Sequence, residues 1–166
     1  MEHLWTPWRS TYIAGKTGAR GCIFCSALRS GNDKENLILH HAAHNFVMLN
    51  RFPYTSGHLM IAPNKHTSQL SELDESAADE MWRLARSVES IFTEIYRPDG
   101  LNIGMNLGEA AGAGIVDHLH LHMLPRWKGD ANFMTVIGGT RVMPELLEDT
   151  FAKLQAAFAG LGNTDN

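Results

Sequence analysis

Cysteine is nearly missing: Cys22 and Cys25 are the only two in 166 residues. That is too few for a disulfide scaffold, and in a cytosolic chain their close spacing points to metal or redox chemistry. A surplus of positive charge is missing too. The formal net charge is -4, which argues against a protein whose main task is gripping nucleic acid, so any phosphate binding has to be local. No apolar run approaches the ~20 residues that span a bilayer. The N-terminus, MEHLWTPWRS, has no basic-then-apolar signal architecture, so a cytoplasmic location without a membrane partner is expected. Repeats, low-complexity tracts and long linkers are also absent, which leaves one domain over residues 1–166.

What is present belongs to a folded protein. Hydrophobic residues make up 44% and charged residues 19%, a balance that buries a core rather than staying disordered. Alternation predicts strands over residues 37–41, 46–50, 58–62, 101–107 and 118–124. Leu73, Ala77, Met81, Leu84, Val88, Ile91, Phe92 and Ile95 recur at helical spacing. They predict one long helix, N-capped at Ser71 or Asp74 and ended by Pro98 and Gly100. A second helix is expected from near Pro144, with Leu147, Phe151, Leu154 and Phe158 on one stripe. Strands, helix, strands, helix, with connections short enough for antiparallel neighbours, read as α+β.

The densest chemistry lies in VDHLHLHMLPRW, Val116 to Trp127. On a strand His118, His120 and His122 share one face, and Leu119, Leu121 and Met123 share the other. Incidental surface histidines rarely come with so clean an apolar face. A metal site using all three is opposed by geometry. Residues i and i+4 lie ~13 Å apart along a strand at ~3.3 Å per residue, whereas zinc holds each nitrogen at ~2.0–2.1 Å. Two neighbours can share an ion, which leaves at least one histidine for other work, and a third reading is nucleophilic catalysis. A neutral imidazole can attack phosphorus and divide one displacement into two, provided its other nitrogen has a fixed acceptor. His120, flanked on both sides, is the natural nucleophile, and a neighbouring histidine can serve the leaving group.

The preceding loop, GMNLGEAAGAG from Gly104 to Gly114, is rich in glycine. It has neither the ending of a P-loop nor the strand-to-helix context of a dinucleotide fingerprint. It reads either as a permissive long turn or as a set of backbone N–H groups facing an anion. The Cys22-Ile-Phe-Cys25 pair is equally open on its own: redox pair, half of a metal site, or two core thiols. A redox role wants a thioredoxin-like βαβ context, which is missing. A structural zinc needs two further ligands, which histidines can supply.

With HLHLHML the chain resembles the histidine triad (HIT) superfamily, whose signature is His-φ-His-φ-His-φ-φ with φ apolar. CIFC, FVMLNRFPYTSGHLMIAPNKH and NLGEAAGAG fit in the same order. LWTPWRSTYI and PRWKGDANFMTVIGGTRVMPELL look like the branch holding diadenosine tetraphosphate phosphorylases and Fhit-type hydrolases. The resemblance implies a five-stranded antiparallel sheet with one long and one C-terminal helix, assembled as a homodimer or higher homo-oligomer. Within it, the Cys-pair segment 1–36 packs on a core 37–127, followed by an extension 128–166. It implies cleavage of dinucleoside polyphosphates by phosphorolysis or hydrolysis through a nucleotidyl-histidine intermediate, without an organic cofactor.

Residue by residue, the resemblance makes His120 the nucleophile, His122 the phosphate contact that assists the leaving group, and His58 a support from the neighbouring strand. Asn50 would bond the ribose and Asn106 the phosphates; Ile23, Phe24 and Met48 would line the base pocket; Gly112 and Gly114 would lie against the phosphates. Cys22, Cys25, His66 and His118 would hold a structural zinc. The chain departs from the pattern just before the triad, where hydrolases commonly carry Gln-Ser or Gln-Thr and phosphorylases often Gly-Ser. Ala113 and Gly114 offer no side-chain donor there. The chain ends favour phosphorolysis, with inorganic phosphate as second substrate. A nucleotide-binding regulatory or scaffold protein with incidental hydrolysis is the alternative, separated by turnover numbers. Repair of adenylylated DNA ends is disfavoured, since no basic extension or nucleic-acid zinc finger accompanies the domain.

Overall fold

The computed structural model describes residues 21–132, 135, 137 and 143–160. The N-terminal stretch LWTPWRSTYI and parts of the C-terminal stretch resembling the phosphorylase branch lie outside the described residues. The elements are α1 (Ile23–Ser30), α2 (Asp33–Asn36), β1 (Ile38–His41), β2 (Asn45–Leu49), β3 (Leu59–Pro63), α3 (Glu75–Ile95), β4 (Gly100–Gly104), β5 (Leu121–Arg126) and α4 (Leu147–Phe158). The strands form one five-stranded sheet in the order β1-β2-β3-β5-β4, every pair antiparallel. The chain adopts the expected α+β class and five-stranded antiparallel sheet with one long and one C-terminal helix, and adds two short helices ahead of β1. Among the described residues no helix is long and apolar enough to cross a membrane.

Both faces of the sheet are covered, which explains why β2 (NFVML) and β3 (LMIAP) are buried along their whole length. On one face Val47, Leu49, Leu59, Ile61, Leu121 and Met123 meet Met81, Val88 and Phe92 of α3 and Phe151 and Leu154 of α4. On the other face Phe46, Met48, Met60 and Ala62 meet Phe24 and Ala27 of α1. The alternation of β5 therefore sends Leu121 and Met123 into the larger core and His122 to the α1 side.

The boundaries differ from expectation for local reasons. Helix α1 has no counterpart among the expected elements; it ends at Gly31, whose φ of 66° is the left-handed conformation a helix C-terminus favours. Strand β1 starts at Ile38 because Leu37 takes φ 61° as the C-cap of α2. Asp74 holds the N-cap position of α3 without a capping bond, since its carboxylate takes Lys65 Nζ at 3.2 Å. Helix α4 begins at Leu147, close to Pro144 as expected, and Glu145 just ahead of it is occupied. That carboxylate accepts from Tyr96 Oη at 3.0 Å and Thr150 Oγ1 at 2.8 Å and pairs with Lys153. Burial, then the Glu145 charge, pushes the Tyr96 phenol up.

The largest correction concerns the histidines. Pairing with β3 covers only Leu121 to Met123, so β5 starts at Leu121, and His118 and His120 lie in the segment before it. That segment is anchored by Leu119 N–H donating to Thr67 O at 2.7 Å. β4 likewise stops at Gly104, not residue 107.

The turn between β1 and β2 is tied to α3 by Glu80, whose carboxylate accepts from Ala43 N–H at 3.1 Å, His44 N–H at 2.8 Å and Asn45 Nδ2 at 2.8 Å. Burial pushes this carboxyl up, but the Asn45 side chain and the backbone donors outweigh it and hold the group below the usual carboxylate value.

Candidate active site

His120 is 5% exposed, and its Nδ1 lies 2.8 Å from the His118 carbonyl oxygen. A carbonyl only accepts, so Nδ1 carries the proton and Nε2 keeps its lone pair. Burial pushes the His120 pKa down, more than the His118 hydrogen bond raises it. The ring is therefore neutral at pH 7, as a nucleophile must be.

His122 is held by a chain of donors. Tyr54 N–H donates to His58 Nδ1 at 3.1 Å, so the proton of His58 sits on Nε2. His58 Nε2 lies 2.9 Å from His122 Nδ1. His122 Nδ1 is then the acceptor, and its Nε2–H is left to donate. Burial, then the charge of His120, pushes the His122 pKa down to about 4. The His120 and His122 ring centroids are 4.7 Å apart with the rings nearly perpendicular. One ring presents a lone pair and its neighbour an N–H.

These two rings stand in a cavity of about 180 Å³. Ile23, Phe24, Met48, Asn50, Asn106 and Gly114 line it with them, so the structure brings together six of the seven expected substrate contacts. Gly112 is the exception. It follows a short turn, Glu109–Ala111, outside the cavity lining, and its N–H is spent on Glu109 O at 2.9 Å. Asn50 Oδ1 accepts from Phe52 N–H at 2.9 Å, which orients the amide. Sequence reasoning missed Tyr54, Asn36 and Arg51 on the same wall. The missed signal was RFPYTSGH, a turn whose tight return brings the Tyr54 N–H to His58 four residues on.

His118 is turned elsewhere. Its Nε2 donates to Pro63 O at 2.8 Å, which leaves Nδ1 unprotonated. That nitrogen lies 3.2 Å from Cys22 Sγ, 3.6 Å from Cys25 Sγ and 3.3 Å from His66 Nδ1. Cys25 Sγ and His66 Nδ1 are 3.4 Å apart, and all four atoms lie within 4.8 Å of one another. A tetrahedral zinc with ~2.0–2.1 Å to nitrogen and ~2.3 Å to sulfur sets its ligands roughly 3.3–3.8 Å apart. The donor set fits in number, type and spacing, and the Pro63 carbonyl fixes the tautomer a metal-bound histidine needs.

The acid response follows from the shifted histidine. Protonating His122 costs more in the folded chain, at about 4, than in the unfolded one, at ~6.5. Stability therefore falls as pH drops through that window and is highest above it. Thermal melts at about pH 7 and about pH 5 should show a larger loss for wild type than for His122→Asn. Equal losses would rule His122 out as the source.

Comparison with known proteins gives the arrangement its relatives. The HIT domain family profile matches residues 32–129. An AP-4-A phosphorylase of Mycobacterium tuberculosis is 35% identical over 166 residues, covering 96% of this chain and 85% of that protein. A bis(5'-adenosyl)-triphosphatase of Dictyostelium discoideum is 28% identical over 86 residues, 52% of this chain and 57% of that protein. A solved zinc-bound histidine triad family protein from Mycobacterium smegmatis superposes with a TM-score of 0.69 at 26% identity, covering 87% of this chain and 98% of that one. With a profile match over more than half its residues and a relative alike along nearly its whole length, the chain belongs to the HIT domain family.

Proposed function

We propose that the protein is a nucleotidyltransferase or hydrolase cleaving dinucleoside polyphosphates such as diadenosine tetraphosphate, with His120 as nucleophile. One observation carries this reading: His120 Nδ1 is tied to the His118 carbonyl, which leaves Nε2 unprotonated inside the cavity beside the His122 N–H. The named activities of the Mycobacterium and Dictyostelium relatives support the substrate class.

The chemistry follows from the tautomers. The His120 Nε2 lone pair forms a bond to the α-phosphorus as the bond from phosphorus to the bridging oxygen breaks. The leaving polyphosphate departs as an anion, so it needs a hydrogen bond from His122 Nε2–H rather than a full proton. His58 acts through His122 and is a positioning residue. In the second step phosphate or water attacks the same phosphorus, the N–P bond breaks, and Nε2 regains its lone pair. Ile23, Phe24 and Met48 receive the base, Asn50 the ribose and Asn106 the phosphates. We favour phosphate as the acceptor from the similarity to the phosphorylase.

Incubation with diadenosine tetraphosphate tests the reading. With phosphate present, ADP and ATP are expected; AMP and ATP alone would reverse the preference for phosphorolysis. Brief mixing with radiolabelled substrate should leave acid-labile, base-stable label on the protein. His120→Ala should abolish the label and lower turnover by at least about a thousandfold. Near-wild-type turnover in that variant defeats the mechanism.

Cys22, Cys25, His66 and His118 would hold one zinc per chain, cross-linking α1 to the segment that carries His120. Metal analysis of chelator-free protein should find close to one equivalent. Cys22→Ser should lower thermal stability more than kcat, because binding at such a site is coupled to folding. Freely titrating thiols with no bound metal would leave two ordinary cysteines instead.

Two copies are expected to assemble. Among the described residues β4 is an edge strand with little cover, and its Ile103 is 43% exposed. An unpaired edge invites strand addition. Light scattering should give at least twice 18.4 kDa; a monomer at micromolar concentration counts against it.

A further inference from the structure

A second cavity, about 770 Å³, adjoins the catalytic one, and Tyr54 lines both. Leu124 on its wall lies two residues beyond His122 on the same face of β5, roughly 6.6 Å further along the strand. Asn102, its partner on β4, lines the cavity too. The cavity therefore continues the line that runs from His120 through His122.

In-line displacement decides what lies in that direction. The nucleophile enters phosphorus on one side and the leaving oxygen departs on the opposite side. The base of the transferred half belongs at the Ile23 and Phe24 end, so the leaving half has to pass His122. The 180 Å³ catalytic cavity is smaller than the ~300–1,000 Å³ usual for small-molecule sites, whereas the second cavity falls within that range.

The wall has unspent chemistry. Ser56 lines it, is 6% exposed, and its Oγ has no hydrogen-bond partner among the described residues. A buried hydroxyl left so is destabilising, and a ligand with an acceptor relieves it. Two lining cations are already engaged: Arg126 by Asp130 at 2.6 Å, and Lys153 by Glu145. Lys128 differs. Its backbone N–H is fixed on Asp99 Oδ2 at 2.8 Å, while its ammonium makes no ion pair among the described residues. Tyr96 and Trp127 add an aromatic wall, edge to face at 6.1 Å. Ala113 and Gly114 bring no side-chain donor ahead of the triad, and Arg51 on the catalytic wall already donates to Glu35 O at 2.7 Å. Among the described residues, Lys128 is therefore the lining cation left for a phosphate chain.

We propose that this cavity is the subsite for the leaving nucleotide, with Lys128 on its phosphates, Ser56 bonding it from the floor and the Tyr96–Trp127 wall against its nucleoside. The proposal rests on the dinucleoside polyphosphate reading above and assigns that substrate's second half.

Two substrates with the same adenylyl group test it: diadenosine tetraphosphate, and the p-nitrophenyl ester of AMP, whose leaving group is small. Lys128→Ala should lower kcat/KM on the first about tenfold, the worth of one charge-assisted contact. Leu124→Trp, which fills the cavity, should lower it further, and Ser56→Ala less. The ester should be cleaved within about twofold of wild type by all three, which also shows that they fold. Unchanged cleavage of the tetraphosphate, or equal losses on both substrates, overturns the subsite. Calorimetry keeps the two readings apart. ATP titrated into AMP-saturated wild-type protein should bind, and more weakly to the Lys128→Ala and Leu124→Trp variants. Absence of ATP binding overturns the subsite whatever the turnover. Binding without turnover supports the subsite and counts against the nucleotidyl-histidine mechanism alone.

Discussion

The hydrogen bond from His120 Nδ1–H to the His118 carbonyl, 2.8 Å long, carries two requirements at once. It decides which nitrogen keeps its lone pair, and it aims that nitrogen into the cavity. The carbonyl can serve only if His118 itself is held still. Its ring is held from both sides, Nε2 on Pro63 O and Nδ1 among Cys22, Cys25 and His66, while the next backbone N–H is pinned on Thr67 O. A cluster of four candidate metal donors and the proposed nucleophile thus share His118, through its ring on one side and its carbonyl on the other.

That sharing depends on where β5 begins. Had the strand run through His118 and His120 as expected, their backbone groups would have joined its ladder. Because pairing with β3 starts at Leu121, the His118 carbonyl is free to accept from a side chain. The Phe24 ring, 4.9 Å from His118 and 5.0 Å from His120, covers the segment and supplies the burial that keeps His120 neutral. Helix α1 thereby contributes to the His120 cavity through Phe24 and to the Cys22, Cys25, His66 and His118 donor cluster through the cysteines at its start.

On the sheet proper, His122 and His58 face each other from β5 and the residue just before β3. Their tautomers are set from outside the pair by the backbone N–H of Tyr54. The large core on the opposite face packs Val47, Leu49, Leu121 and Met123 of the sheet against Val88 of α3 and Leu154 of α4. It makes no chemical contribution but holds the strands that carry both rings.

Much was legible in the residues alone. Period-two and period-3.6 patterning located all five strands and the two long helices, because each buries a stripe that sequence displays directly. The histidine spacing pointed to His120, and the need for two more ligands beside Cys22 and Cys25 pointed to histidines. Less legible were features made by elements meeting. Gly112 looked like a phosphate contact, yet its N–H is consumed by a turn that glycine content does not encode. Tyr54 looked like a connection, yet its backbone sets a tautomer. By itself the sequence determined the class of fold, the candidate reactive residues and the donor types, since these follow from composition and period. Only the tertiary structure decided which nitrogen of each histidine is protonated, which cations are already paired, and that a second cavity continues past His122. Those depend on how the elements meet. His118 reaches Pro63 and His122 reaches His58 across the sheet. Even the short-range bonds, His120 to the His118 carbonyl and the Tyr54 N–H to His58, take their place from the strand order around them.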